Sequence, residues 1–150
     1  MKNSLSFILQ VALFLLPWKL RRVLLNLIFN FQIDNTAKIG YSILLCDMLN
    51  MHHNSLIGHL TFCKNINKLV LHNNSRIGAL NFITGFNTKH KSIYSHRTDR
   101  KCELIIQEHS SVTSRHFLDC NGGIYIGKYT TVAGIRSTIL THSIDVYKNR

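Results

Sequence analysis

Apolar residues recur on a period of six through most of this chain. Ile39, Leu45, Met51, Ile57, Cys63 and Leu69 form one run, and Leu71, Ile77 and Ile83 continue it. Ile106, Val112 and Leu118 form another; after a shift of two at Gly122-Gly123 come Ile126, Val132 and Thr138. Six matches neither an amphipathic helix, near 3.6, nor a half-buried strand, at 2. It predicts a parallel β-helix of hexapeptide repeats, with three short strands per coil and one inward side chain per strand. Each coil of such a solenoid buries its edge only against its neighbours. Gly follows the inward aliphatic at Ile39-Gly40, Ile57-Gly58, Ile77-Gly78 and Ile126-Gly127. The first of these spacings is one coil of three hexapeptides, and the second is a coil with a two-residue bulge.

The pattern changes at both ends of that core. Leu5 to Leu16 is apolar almost all round, and Pro17 breaks or restarts the helix. Leu20, Val23, Leu24, Leu27, Ile28 and Phe31 then keep helical spacing, opposite Lys19, Arg21, Arg22, Asn26 and Asn30. Residues 1–34 are therefore read as a helical segment and residues 35–150 as the solenoid. The apolar stretch is too short to span a bilayer. Its two compatible roles are to cap the open end of the solenoid and to lie in a membrane interface. Between Phe86 and Glu103 the repeat fails. That stretch carries Lys89, Lys91, Arg97, Arg100 and Lys101 with two His. The spacing from Ile77 to Ile106 allows an inserted loop of about 11 residues, and such loops often carry binding groups.

Composition narrows the partners. At 150 residues, 45% of them apolar, the chain holds one sizeable core. A net charge of +11 points to anionic partners, but no helix-turn-helix, zinc-finger or RNA-recognition signature is present, so nucleic acid is not expected. Cys46, Cys63, Cys102 and Cys120 include no Cys-x-x-Cys pair and read as reduced structural thiols, with Cys63 inward.

Ile126-Gly127-Lys128-Tyr129-Thr130-Thr131-Val132-Ala133-Gly134, followed by Thr141-His142-Ser143-Ile144-Asp145, resembles the hexapeptide-repeat acyltransferases. Among them it is most similar to sugar O-acetyltransferases such as the maltose and galactoside acetyltransferases, which show a similar Thr-His-Pro-Ile-Asp. The resemblance covers residues 39–145. It implies a left-handed parallel β-helix, a homotrimer, and acetyl-coenzyme A as acyl donor in the groove between subunits. His142 matches the family's catalytic His, and Gly134 and Thr141 fall among its cofactor-binding positions. The matching enzymes continue for several coils that cradle much of the coenzyme, so this chain, stopping at Arg150, reads as C-terminally truncated. The acceptor expected is a hydroxyl of a sugar or polysaccharide precursor; the location expected is cytoplasmic, with peripheral membrane contact through the N-terminal helix as an option.

Stacking arithmetic supplies neighbours for His142. A coil of 20 residues places Gly122 beneath it, Asn121 beneath Thr141 and Asp119 beneath Ile139, on strands about 4.8 Å apart. Asp119, Asn121 or Asp145 could orient the imidazole, and Asp119 or Asn121 could hold a sugar hydroxyl. Gly122 and Gly123 would leave room for a substrate. No metal is expected. Two rival readings stand beside this one: a catalytically impaired fragment or scaffold, and an enzyme like the γ-class carbonic anhydrases, which bind zinc through three His.

Overall fold

The computed structural model describes residues 2–88 and 100–142. Two helices lead: α1 (Lys2–Ala12), prolonged by a 3-10 turn at Leu13–Leu15, and α2 (Trp18–Phe29). Pro17 separates them, with an extended ψ of 146° at the start of α2. The thirteen strands among the described residues all pair in parallel. The described residues form a parallel β-solenoid of about five coils.

Three faces run along its length. The first is β1 (Gln32–Ile33), the second halves of β3 (Ile43–Met51) and β5 (Phe62–Leu71), then β8 (Glu103–Ile106) and β11 (Ile124–Ile126). The second is β2 (Lys38–Ile39), β4 (Leu56–Ile57), β6 (Arg76–Ile77), β9 (Ser111–Val112) and β12 (Thr131–Val132). The first halves of β3 and β5 with β7 (Phe82–Thr84), β10 (Phe117–Asp119) and β13 (Thr138–Leu140) make the third. Ile57, Cys63, Leu71, Ile77, Ile83, Ile106 and Leu118 are wholly buried along the axis. Corners turn through residues of positive φ, such as Asn54 and Asn74 after the first face and Leu60 and Leu80 after the second.

The six-residue period holds from first face to second and, in the middle coils, from second to third. From third to first the step is seven at Leu44–Met51 and eight at Cys63–Leu71 and Leu118–Ile126, because the first face sends in two side chains per coil: Leu49 with Met51, Leu69 with Leu71, Leu104 with Ile106, Ile124 with Ile126. The expected rule of one inward residue per strand fails on that face. Leu45 is also displaced; Leu44 points inward, pairs with Cys63, and a register shift follows at Leu45/Cys46. Likewise Ile139, not Thr138, packs on the core, opposite Leu118. The insertion is longer than expected: Leu71 pairs with Ile106, 35 positions on, where neighbouring coils advance by 20. On the outside of the third face Phe62, Phe82 and Phe117 stack at 5.7 and 5.4 Å.

The helices close the N-terminal end, and they do so by imitating a missing coil. Gln10 Nε2 donates to Leu44 O at 2.8 Å while its Oε1 accepts from Leu44 N at 2.8 Å. Asn26 does the same for Ile33, donating at 3.4 Å and accepting at 3.2 Å. Trp18 Nε1 donates to Ala37 O and Arg21 Nη2 to Gly40 O. Each side-chain amide satisfies both halves of a peptide that would otherwise be a bare strand edge. Arg21, expected on the polar face of α2, is instead buried against the solenoid, its guanidinium 4.6 Å from the Phe14 ring centroid. Of the residues that helical spacing groups on one apolar face, Leu24 and Phe31 pack on the core, whereas Leu20, Val23, Leu27 and Ile28 point outward. Among the described residues, no helix is long and apolar enough to cross a membrane.

Candidate active site

His142 follows β13 at the corner where the third face passes to the first. The β10–β13 register advances by 21 residues, not 20, pairing Asp119 with Leu140. That one-residue slip brings His142 level with Asn121 instead of Gly122. Its Nδ1 lies 2.9 Å from Asp119 Oδ2 and 3.3 Å from Asn121 Nδ2. The carboxylate decides the tautomer. It offers only lone pairs, so in the neutral ring Nδ1 carries the proton and Nε2 the lone pair; the Asn121 amide nitrogen, itself a donor, then lies beside Nδ1–H without bonding to it. Phe86 N donates to Asn121 Oδ1 at 2.6 Å, which fixes the amide with its nitrogen toward the imidazole.

The support under the imidazole is rigid and nearly dry. Asp119 and Asn121 are buried, whereas the His142 side chain is 38% exposed. Asp119 Oδ1 accepts from Asn121 N at 3.0 Å, bracing the carboxylate from within its own turn. Thr141 Oγ1 donates to Asp119 O at 2.7 Å and accepts from Gly122 N at 2.8 Å. Thr141 thus stitches the last described coil to the one before it. A Cβ on Gly122 would stand 2.4 Å from Thr141 O, so close approach of the next coil, not of a substrate, requires glycine there. Gly123 has φ +84° and completes the turn.

Cys120, between Asp119 and Asn121, is wholly buried. Burial first, then Cys102 and Asp119, push its thiol well above the usual range, so it packs as a neutral group rather than a nucleophile.

Other expected residues fall elsewhere. Gly134, φ +103°, lies at the opposite end of β13 from His142 and accepts from Thr113 Oγ1. Asp145 lies outside the described residues. His116 is buried one corner away, its Nε2 2.7 Å from Thr113 Oγ1. Within the chain, no three His, Cys, Asp or Glu among the described residues converge on a point where an ion could sit. The repeat pattern gave no sign of two further neighbours, Phe86 and Arg100. The insertion springs from this same corner, and its two ends are tied there: Arg100 Nη2 donates to Phe86 O at 2.8 Å and lies 3.4 Å from Asn121 Oδ1. A guanidinium therefore stands one residue from His142, with Asn121 between them.

Comparison of the chain with models of known families, with curated proteins and with solved structures gives no match. The arrangement itself is an imidazole whose outer nitrogen has no hydrogen bond among the described residues, whose inner nitrogen is held by a buried carboxylate, and whose flank carries a guanidinium. Such a group takes a proton from an acidic partner and returns it.

Proposed function

We propose that this chain is a coenzyme A-dependent O-acyltransferase, acting on a hydroxyl of a sugar or polysaccharide precursor with His142 as general base. The observation that carries the reading is the Asp119–His142 pair on a parallel solenoid, in the Thr-His-x-Ile-Asp setting that the resemblance picks out. His142 Nε2 takes the hydroxyl proton as the oxygen attacks the thioester carbonyl. The C–S bond then breaks, and the imidazolium returns the proton to the departing thiolate. Asp119 holds the ring in the tautomer this needs and steadies its positive charge midway. Arg100 and the basic insertion favour an anionic ligand such as the phosphates of coenzyme A. The reading includes a homotrimer, with the donor between neighbours.

Acetyl-coenzyme A binding by calorimetry, and release of free thiol in the presence of candidate saccharides, test it. Binding with turnover that falls roughly 10²-fold in His142→Ala is expected. Binding and turnover both unchanged in that variant would remove His142 from the reaction. No binding by the folded wild type would leave a scaffold.

A further inference from the structure

The N-terminal helices have two sides, and the solenoid uses one. Gln10, Leu13, Trp18, Arg21 and Leu25 turn to the first coil, by burial or by the hydrogen bonds above. The other side carries Leu5, Ile8, Val11 and Leu15 on α1 and its 3-10 extension, and Leu20, Val23, Leu27 and Ile28 on α2. Leu15 is 89% and Leu27 74% exposed, far more than scattered surface aliphatics require. Their spacing is helical in both cases, so these are stripes and not isolated residues.

Charge identifies what covers the stripes. The first 33 residues contain no Asp or Glu. Lys19 is exposed, Arg22 half-buried, and Lys38 on β2 exposed close to where Trp18 meets Ala37. A second copy docked on the stripes would set Lys19 against its own equivalent, since the helices themselves supply no acid; Asp34, beside Arg22, sits on the first coil instead. An anionic lipid surface accepts both the aliphatics and the cations.

We propose that residues 4–28 dock the protein onto the surface of a bilayer carrying anionic lipids. Both helices lie in the plane of the interface, since neither is long enough to cross. The contact is independent of the acyl-transfer reading.

Co-sedimentation of the full chain with phosphatidylcholine vesicles, with and without phosphatidylglycerol, tests this. Binding is expected to the mixed vesicles and to fall with added salt. Leu15→Ser with Leu27→Ser should weaken it by roughly tenfold or more. Lys19→Glu, which removes no apolar surface, should weaken it severalfold through charge alone. Circular dichroism unchanged in both variants shows that the fold is kept. Equal pelleting of wild type and the double serine variant overturns the proposal. So does an absence of pelleting together with a loss of dimer mass in that variant, which assigns the stripes to a second copy. Acetyl transfer to a soluble acceptor should be the same in all three proteins, so failure here is separate from failure of the reaction.

Discussion

Asp119 and His142 come from successive coils and meet with Oδ2 2.9 Å from Nδ1. The carboxylate is buried and the imidazole partly open, so in the proposed reaction one holds and the other reacts. Asp119→Asn keeps the shape but replaces an acceptor with an amide that can turn a donor to Nδ1. The expected result is a ring that moves its proton to Nε2, with turnover down about 10²-fold or more. Nitrogen chemical shifts of His142 report the tautomer without any substrate. An unaltered tautomer in the variant would show that Asp119 does not set it.

Leu44 and Leu45 separate the register of the solenoid from the simple period. Leu44→Ala should cost ~2–5 kcal/mol by chemical denaturation, because it empties a filled core position. Leu45→Ala, at a half-buried outward position, should cost about 1 kcal/mol or less. The reverse order would put Leu45 on the axis.

Gly122→Ala places a methyl 2.4 Å from a backbone oxygen of the following coil. Neither partner is a flexible side chain, so β13 must move. Weakened hydrogen-exchange protection at Thr138–Leu140 is expected, with loss of the Asp119–His142 contact. The earlier coils should keep their protection.

Tyr125 donates a hydrogen bond to the Glu103 carboxylate across the first face. That bond holds the phenol neutral and pushes its pKa up to about 12. A raised value means that the contribution to stability is complete below pH 10 and lost as pH rises through about 12. NMR titration of the Tyr125 ring checks this. Glu103→Gln should return the midpoint toward the ordinary value near 10.

The solenoid was legible because its period belongs to neither helix nor strand, and Met51, Ile57 and Cys63, then Ile106, Val112 and Leu118, carry it from face to face. Single-residue choices were not. Ile43, Leu44 and Leu45 are all aliphatic, so pattern cannot say which points inward; the bulge after Leu45 decides. Thr138 and Ile139 pose the same problem, and the resulting coil of 21 residues moved His142 from Gly122 to Asn121. Asp119 and Asn121 were legible as neighbours, since stacking alone brings their turn near. Phe86 and Arg100 were not, because the closing of an insertion leaves no periodic trace. Arg21 was misplaced for another reason. Its burial depends on an unpaired carbonyl at Gly40 and on the Phe14 ring, neither of which an amphipathic pattern contains.

The paired amides of Gln10 and Asn26 give the first coil a neighbour made of side chains. A solenoid ended in this way offers no template on which a stray strand or another molecule's last coil could add, so stacking end to end is refused on that side. The refusal comes from side chains facing inward, which leaves the outer surface of the same hairpin free for anchorage. Tethering the protein therefore never requires that its barrier to polymerisation be opened.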